Sequence, residues 1–117
     1  MQDINPEHIR VDPYLSPLFV EKGITADILR LDLLHPIVSG NKWFKLRYYI
    51  EQAQEQNKKS LVTFGGAWSN HIHATAAAGK LAGLKTIGII RGEAPAGLST
   101  TLLQAAEMGM VFHFVGR

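Results

Sequence analysis

Short apolar segments alternate with amphipathic or alanine-rich segments through the second half of the chain. Three apolar, β-prone runs are separated by two segments of helical composition, and the links between them are short. Ser99 suits the N-cap of the second helical segment, and Gly83 suits the C-terminal end of the first. The order β-α-β-α-β predicts a parallel sheet with crossover helices. The predicted strands are residues 61–64, 86–91 and 110–115, and the predicted helices are residues 71–82 and 100–108.

The first part of the chain is punctuated by prolines and has a different pattern. Residues 1–16 are predicted to form an irregular arm. Residues 17–21 and 27–34 are predicted strands joined by a turn, and leucines alternate with polar residues in the second of them. Pro36 ends that strand, since proline donates no ladder hydrogen bond. The pattern therefore predicts a β-hairpin ahead of the main α/β unit.

Residues 42–57 carry the apolar spacing of a helix with one buried face. Asn41 is the predicted N-cap, whose side-chain oxygen would accept a hydrogen bond from a free backbone N–H of the first turn. Lys42 would fall in that first turn. It would share the buried arc with Leu46, Tyr49, Ile50 and Ala53. Both burial and the positive end of the helix dipole would disfavour a charged lysine there.

This placement gives Lys42 two interpretations. A lysine kept partly neutral is what covalent imine chemistry with a carbonyl compound needs. The alternative is that its side chain extends along the helix and places its charge in solvent. The helical pattern by itself leaves both interpretations open.

A predicted strand and a predicted helix are joined by the sequence Gly65-Gly66-Ala67-Trp68-Ser69-Asn70-His71. In a parallel sheet this turn lies at the carboxyl end of a strand, where ligands usually bind. Free N–H groups at the start of the helix favour an anion, and Ser69 and Asn70 add a hydroxyl and an amide. The alternative is a tight turn in which one of these two residues is an ordinary helix cap. The glycines match neither a dinucleotide fingerprint nor a P-loop.

Composition narrows the range of functions. With 117 residues, 46% of them hydrophobic and 19% charged, the chain fits one soluble globular unit. A net charge of +2 with scattered basic residues gives no footprint for nucleic acid. No apolar run approaches a membrane span, and the absence of cysteine fits a cytoplasmic location. His71 and His73 leave a zinc site as an alternative, although no third ligand is evident.

Two stretches together resemble a known family. They are His35-Pro36-Ile37-Val38-Ser39-Gly40-Asn41-Lys42-Trp43-Phe44-Lys45-Leu46 and Gly65-Gly66-Ala67-Trp68-Ser69-Asn70-His71. In this order and at this separation they look like the 1-aminocyclopropane-1-carboxylate deaminase/D-cysteine desulfhydrase family. Those proteins are fold-type-II pyridoxal 5′-phosphate (PLP) enzymes, related to the tryptophan synthase β subunit. The resemblance runs from about residue 15 to the end of the chain and covers only the N-terminal part of such an enzyme.

The resemblance implies a role for each of five residues. Lys42 would bind PLP covalently and later shuttle the substrate proton, and Lys45 would lie near the cofactor phosphate. Asn70 would hydrogen-bond the pyridoxal 3′-hydroxyl. Ser69, Asn70 and the backbone N–H of His71 would hold the substrate carboxylate, and Ser69 would join Lys42 as a catalytic residue.

The implied fold is α/β, a three-layer parallel-sheet βαβαβ unit preceded by a β-hairpin. Residues 1–40 would form the arm and the hairpin of a larger domain, and residues 41–117 the lysine helix and most of a small domain. The phosphate cup and the group facing the pyridine nitrogen would lie beyond Arg117, in the absent remainder of the architecture. The resemblance also implies a homodimer at full length.

The sequence departs from the family pattern in three places, two of them single residues and one a four-residue stretch. Phe44 stands where an arginine is frequent, and Leu29-Arg30-Leu31-Asp32 replaces a more charged strand. His71 stands where deaminases often carry glutamine, which favours a desulfhydrase-like member.

The leading hypothesis is the N-terminal part of a PLP-dependent enzyme that acts on a small amino acid. It would yield a 2-oxo acid and ammonia, either by α,β-elimination or by opening a cyclopropane ring. The alternative is a non-catalytic α/β fragment that keeps the fold but cannot hold PLP. A third interpretation, a nucleotide-binding module, lacks its glycine fingerprint.

Overall fold

The alternating apolar and helical segments form strands and helices in the predicted order. A computed structural model describes residues 4–116. Short 3-10 turns also occur, at Pro6–His8 and Leu31–Leu33. In that part of the chain the strands and α-helices are β1 (Val11–Tyr14), α1 (Pro17–Glu21), β2 (Ala26–Leu29), α2 (Lys42–Glu55), β3 (Ser60–Gly65), α3 (Asn70–Leu81), β4 (Lys85–Arg91), α4 (Thr100–Glu107) and β5 (Val111–Val115).

The second half of the chain forms a three-stranded parallel sheet in the order β3-β4-β5. The register pairs Thr63 with Gly88 and Gly88 with Phe112, so these three residues lie on one face. That face packs against the helices, whereas Val62 and Phe64 on the other face are 58% and 73% exposed. The predicted parallel βαβαβ unit is confirmed. Within residues 4–116 its helices cover one face of the sheet, so this part of the chain contributes two of the three expected layers.

Helix α3 lies directly on the sheet because its packing side chains are small. Seven of its residues are buried, namely Ile72, Ala74, Thr75, Ala76, Ala77, Ala78 and Gly79. A Cβ atom added to Gly79 would overlap Cγ2 of Thr86 on β4. One added to Gly65, at the end of β3, would lie 2.5 Å from Cγ1 of Ile72. Glycine at these two positions therefore sets how closely helix and sheet approach.

Helix α2 has the predicted position but a narrower buried face. Leu46, Ile50 and Ala53 are buried as predicted. Tyr49 is 65% exposed, so its predicted burial is wrong. The helix packs against α3 and the edge strand β3, and both contacts fall on the stripe of the three buried residues. Tyr49 lies on the flank of that stripe and is therefore left largely exposed.

The predicted cap of α2 is also wrong. Asn41 occupies the N-cap position, but its backbone is already helical (φ −74°, ψ −3°) and its side chain makes no capping hydrogen bond. An N-cap side chain reaches the first turn from an extended backbone, which Asn41 does not have. The chain instead enters α2 through Gly40, whose φ of +64° suits glycine.

The N-terminal β-hairpin is confirmed, but its first strand lies elsewhere. β1 pairs with β2 in an antiparallel ladder, from Val11 opposite Leu29 to Tyr14 opposite Ala26. β1 thus falls in the predicted irregular arm, of which residues 1–3 lie outside the described part. The predicted strand at Pro17–Glu21 is a short helix instead. Proline is favoured in the first turn of a helix, where its missing N–H costs no hydrogen bond.

The second strand of the hairpin is shorter than predicted. β2 ends at Leu29, and Leu31–Leu33 form a 3-10 turn although leucines alternate with polar residues there. Arg30 bonds Asp12 at 2.8 Å and Asp32 at 2.7 Å, so ion pairs hold the point where the strand ends. The hydrogen bond from Arg10 is the largest cause that lowers the pKa of Asp12; burial opposes it, and the hydrogen bond from Arg30 lowers the pKa further.

The hairpin and the α/β unit differ in burial. Within residues 4–116 the first buried residue is Leu34, and the side chains of the hairpin remain largely exposed. The predicted division between residues 1–40 and 41–117 remains a prediction, with Arg117 outside the described residues. None of the helices described here is long and apolar enough to cross a membrane.

Gly79 provides a test of the close packing of α3. Alanine normally stabilises a helix interior by about 1 kcal/mol relative to glycine. Here we expect Gly79→Ala to destabilise the protein by roughly 1–3 kcal/mol, because the new methyl group would overpack the sheet. Urea denaturation would measure the change. Lys80→Ala, at the exposed next position, is the matched control and should change stability by less than about 0.5 kcal/mol.

Candidate functional site

The predicted site residues lie at the start of two neighbouring helices. Lys42 is the first residue of α2, and Ser69 precedes the first residue of α3, Asn70. A cavity of about 640 Å³ opens between α2 and β3. Lys45 and His71 line this cavity together with polar and aromatic residues of both elements. The structure thus brings Lys45 and His71 to one cavity, whereas Ser69 and Asn70 lie at the adjacent helix start.

Ser69 is the N-cap of α3. Its backbone is extended (φ −76°, ψ 116°), and its Oγ accepts a hydrogen bond from the N–H of Ile72 at 3.4 Å. The N–H of Ser69 itself donates to the carbonyl of Gly66 at 3.1 Å, which closes the turn after β3. The helix-cap interpretation of this loop is therefore confirmed. Because Oγ acts as an acceptor in this cap, the hydroxyl proton of Ser69 stays available for a ligand.

A second serine, which lies outside this loop, restrains the loop through a hydrogen bond. Ser99 Oγ donates to the carbonyl oxygen of Ala67 and accepts from the N–H of Leu102 at 3.2 Å. The capping role of Ser99 was predicted, but its bond to Ala67 was not, because 32 residues separate the two. The start of α4 thereby holds the turn that places Ser69.

The two lysines differ in exposure. Lys42 is partly buried and Lys45 is exposed, so neither lies fully in the interior. Within residues 4–116, neither ammonium group makes a hydrogen bond or an ion pair. Lys45 lines the cavity, and the charges of both lysines act on His71 in the cavity wall, so the pair attracts an anionic ligand.

His71 is the most constrained polar side chain of the cavity. Its Nε2 lies 2.9 Å from Oγ1 of Thr63 on β3 and 3.5 Å from Oγ1 of Thr75 on α3. Thr75 Oγ1 in turn donates to the carbonyl oxygen of His71 at 2.8 Å. Burial, and then the charges of Lys45 and Lys42, lower the pKa of His71.

Sequence reasoning missed the two threonines. Thr75 follows His71 by four residues, which places the two side chains on one face of a helix. That spacing was a usable signal. The contact of Thr63 with His71 could not be predicted in the same way, because it depends on how α3 packs on β3.

Two further expectations have different outcomes. The side chain of Asn70 is exposed and has no hydrogen bond within the described residues. The zinc alternative gains no support, because residues 4–116 contain no group of three potential metal ligands. Burial lowers the pKa of His73.

Comparisons with known proteins identify relatives of this chain. A Pyrococcus abyssi protein assigned as a 1-aminocyclopropane-1-carboxylate deaminase is 35% identical over 80 residues, which are 68% of this chain and 24% of that protein. An Arabidopsis thaliana protein, named as a mitochondrial bifunctional D-cysteine desulfhydrase/1-aminocyclopropane-1-carboxylate deaminase, is 32% identical over 100 residues. That match covers 81% of this chain and 25% of the plant protein.

A solved structure of a homologue of 1-aminocyclopropane-1-carboxylate deaminase superposes with a TM-score of 0.78 at 28% identity. It covers 97% of this chain and 34% of the solved one. The chain is homologous to part of the length of proteins of the 1-aminocyclopropane-1-carboxylate deaminase/D-cysteine desulfhydrase family. No family model matches it. The chain spans about a quarter of the length of the curated relatives it matches.

The family resemblance and the α/β fold predicted from the sequence are thereby confirmed. The motif that carried the resemblance corresponds to physical features of the chain. Its first half places Lys42 and Lys45 on the first turn of α2, and its second half is the loop that Ser69 caps. The roles implied for the individual residues remain predictions.

The lowered pKa of His71 predicts how stability depends on pH. The ordinary value is 6.5, and the folded protein resists protonation more than the unfolded chain does. Unfolding therefore takes up a proton as the pH falls through about 6.5, and stability declines below that value. We expect His71→Gln to weaken this decline, because the amide cannot titrate.

Chemical denaturation of both proteins at about pH 7.5 and pH 5.5 would measure the difference. His73→Gln is the comparison variant: burial also lowers the pKa of His73, so this change removes the His73 share of the decline and leaves the His71 share in place. An equal decline in the wild type and in His71→Gln would contradict the lowered pKa.

Proposed function

We propose that this chain is part of a PLP-dependent enzyme that acts on a small amino acid and yields a 2-oxo acid and ammonia. The reaction would be α,β-elimination, as in D-cysteine desulfhydration, or the opening of the ring of 1-aminocyclopropane-1-carboxylate. The main support is the position of Lys42 at the start of α2, beside the capped start of α3, in a homologue of this family.

The side chains present fit PLP in their chemistry. The cofactor is an anionic aldehyde, and Lys42 and Lys45 are two amines without a partner in the described residues. One amine can bind the aldehyde carbon covalently, and the other can neutralise the phosphate charge. The free side-chain amide of Asn70 can hydrogen-bond the 3′-hydroxyl.

In this proposal Lys42 has two tasks. Its Nζ would hold the cofactor, and after substrate binding the same Nζ would move a proton of the substrate. In the α,β-elimination this is the Cα proton; in the ring opening, whose substrate has no Cα proton, it is a proton of a ring methylene group. PLP, when bound, would supply the electron sink for the negative charge that develops in either reaction. Lys42 is partly buried at the start of α2, where its Nζ can reach a ligand held at the start of α3.

The start of α3 would hold the substrate carboxylate. The free hydroxyl proton of Ser69, the amide of Asn70 and the backbone N–H of His71 can each donate to a carboxylate oxygen. The positive end of the helix dipole adds to this attraction. The bond from Ser99 to Ala67 would keep these donors in place before the substrate binds.

A second candidate function is a non-catalytic α/β protein that keeps the fold without holding PLP. The observation that favours it is the exposure of Lys45 and Asn70, two of the residues that the cofactor would need. A cytoplasmic location and a homodimeric state at full length complete the proposal. The lack of cysteine supports the location, and light scattering of the purified full-length protein would test the dimer.

Incubation with PLP separates the two functions. We expect a visible absorption band of lysine-bound PLP, and its loss in Lys42→Ala, because no other residue would form the bond. Lys45→Ala should keep the band and weaken PLP binding roughly tenfold or more, as expected when one charge-assisted hydrogen bond is lost.

The same experiment can contradict the proposal. A band that persists in Lys42→Ala would place the cofactor on another amine. No band at any PLP concentration, in a protein that circular dichroism shows to be folded, would favour the non-catalytic function.

A further inference from the structure

The His71 imidazole lies between two hydroxyl groups, and a count of their protons indicates its tautomer. Thr75 Oγ1 donates its single proton to the carbonyl oxygen of His71. Toward Nε2, 3.5 Å away, the same oxygen can therefore only accept. A proton on Nε2 satisfies both this contact and the one to Thr63 at 2.9 Å. A bare Nε2 would place two lone pairs against each other at Thr75.

The other ring nitrogen is then a free acceptor. A neutral imidazole carries one proton, so Nδ1 keeps its lone pair when Nε2 is protonated. Nδ1 has no hydrogen-bond partner within residues 4–116. His71 is one of the residues that line the cavity between α2 and β3, and this cavity is where we expect a ligand to reach the free nitrogen.

Burial, together with the charges around the cavity, keeps the imidazole neutral. Lys42 and Lys45 approach it from α2, which also contributes Tyr48 and Tyr49 to the cavity wall. The residues of β3 that line the cavity carry no charge. A second proton on the ring would place three cations together. The lowered pKa of His71 agrees with the cost of bringing these three cations together.

We propose that His71 Nδ1 is a specificity-determining acceptor for a small anion that also carries an uncharged hydroxyl or thiol donor. The two lysines attract the anionic group, and they disfavour a cationic donor at the same place. An O–H or S–H group is the donor that a neutral nitrogen beside two cations accepts best. The inference goes beyond the proposed function, because it requires neither PLP nor turnover.

The tautomer is tested by nitrogen NMR of the whole chain labelled with 15N-histidine, with His71→Gln to assign the signal. We expect a protonated Nε2 and a bare Nδ1 at pH 7.5. Thr63→Val removes the closer acceptor and should shift the tautomer ratio toward protonated Nδ1 by about two- to tenfold, the effect of one hydrogen bond. Thr63→Ser keeps the hydroxyl and should restore the wild-type ratio.

The ligand is tested with lactate and propionate, which have the same charge and nearly the same shape. Lactate carries a hydroxyl group and propionate does not. We expect lactate to move the Nδ1 resonance of His71 and to bind about two- to tenfold more tightly, again the effect of one hydrogen bond. In His71→Phe, lactate and propionate should bind equally.

Several results would overturn the proposal. They are protonated Nδ1 in the wild type, a ratio unchanged by Thr63→Val, and a resonance that responds equally to both acids or to neither. The outcome is independent of the PLP experiment. Failure of the proposed function would appear as a missing absorption band, whereas failure here would appear in spectra recorded without PLP.

Discussion

The close packing of α3 on the parallel sheet determines where every other part of the site lies. Gly79 lies directly over Thr86, and Gly65 leaves no room for a side chain beside Ile72. The alanines between these points let α2 and α4 pack against α3 from either side. Since each of these contacts is already close, the start of α3 cannot shift without moving the sheet.

The N-terminal end of this helix therefore gains its geometry from the protein core. Ser69 caps the helix, and Ser99 restrains the preceding turn through a bond to Ala67. The polar groups that are proposed to meet an anion are held by apolar contacts on one side and by a second helix start on the other. This arrangement is preorganised, because the hydrogen-bond donors take up their positions without a ligand.

Local patterns predicted the regular part of the fold well. The period of apolar residues located α2 and the five elements of the parallel unit, since each buries a face of its own periodicity. The same pattern wrongly predicted that Tyr49 is buried, because the width of a buried stripe depends on the neighbouring element. It also failed at Leu31–Leu33, where ion pairs of Arg30 replace the strand ladder that alternating leucines indicate.

The site was predictable to the extent that its residues are consecutive. Lys42, Ser69 and His71 stand in short motifs, and their helix positions follow from local rules. The partners of these residues were not predictable, since Thr63 and Ser99 reach the site only through tertiary packing. A sequence therefore reveals which groups can react sooner than it reveals what restrains them.

The exposed face of the parallel sheet has a consequence for the life of the protein in a cell. Val62, Phe64 and Val111 present apolar side chains there, each more than half exposed. Chaperones and proteases recognise apolar surface of this kind as a sign of incomplete folding. If that face stays uncovered after synthesis, the abundance of the protein falls, independently of any chemistry at Lys42.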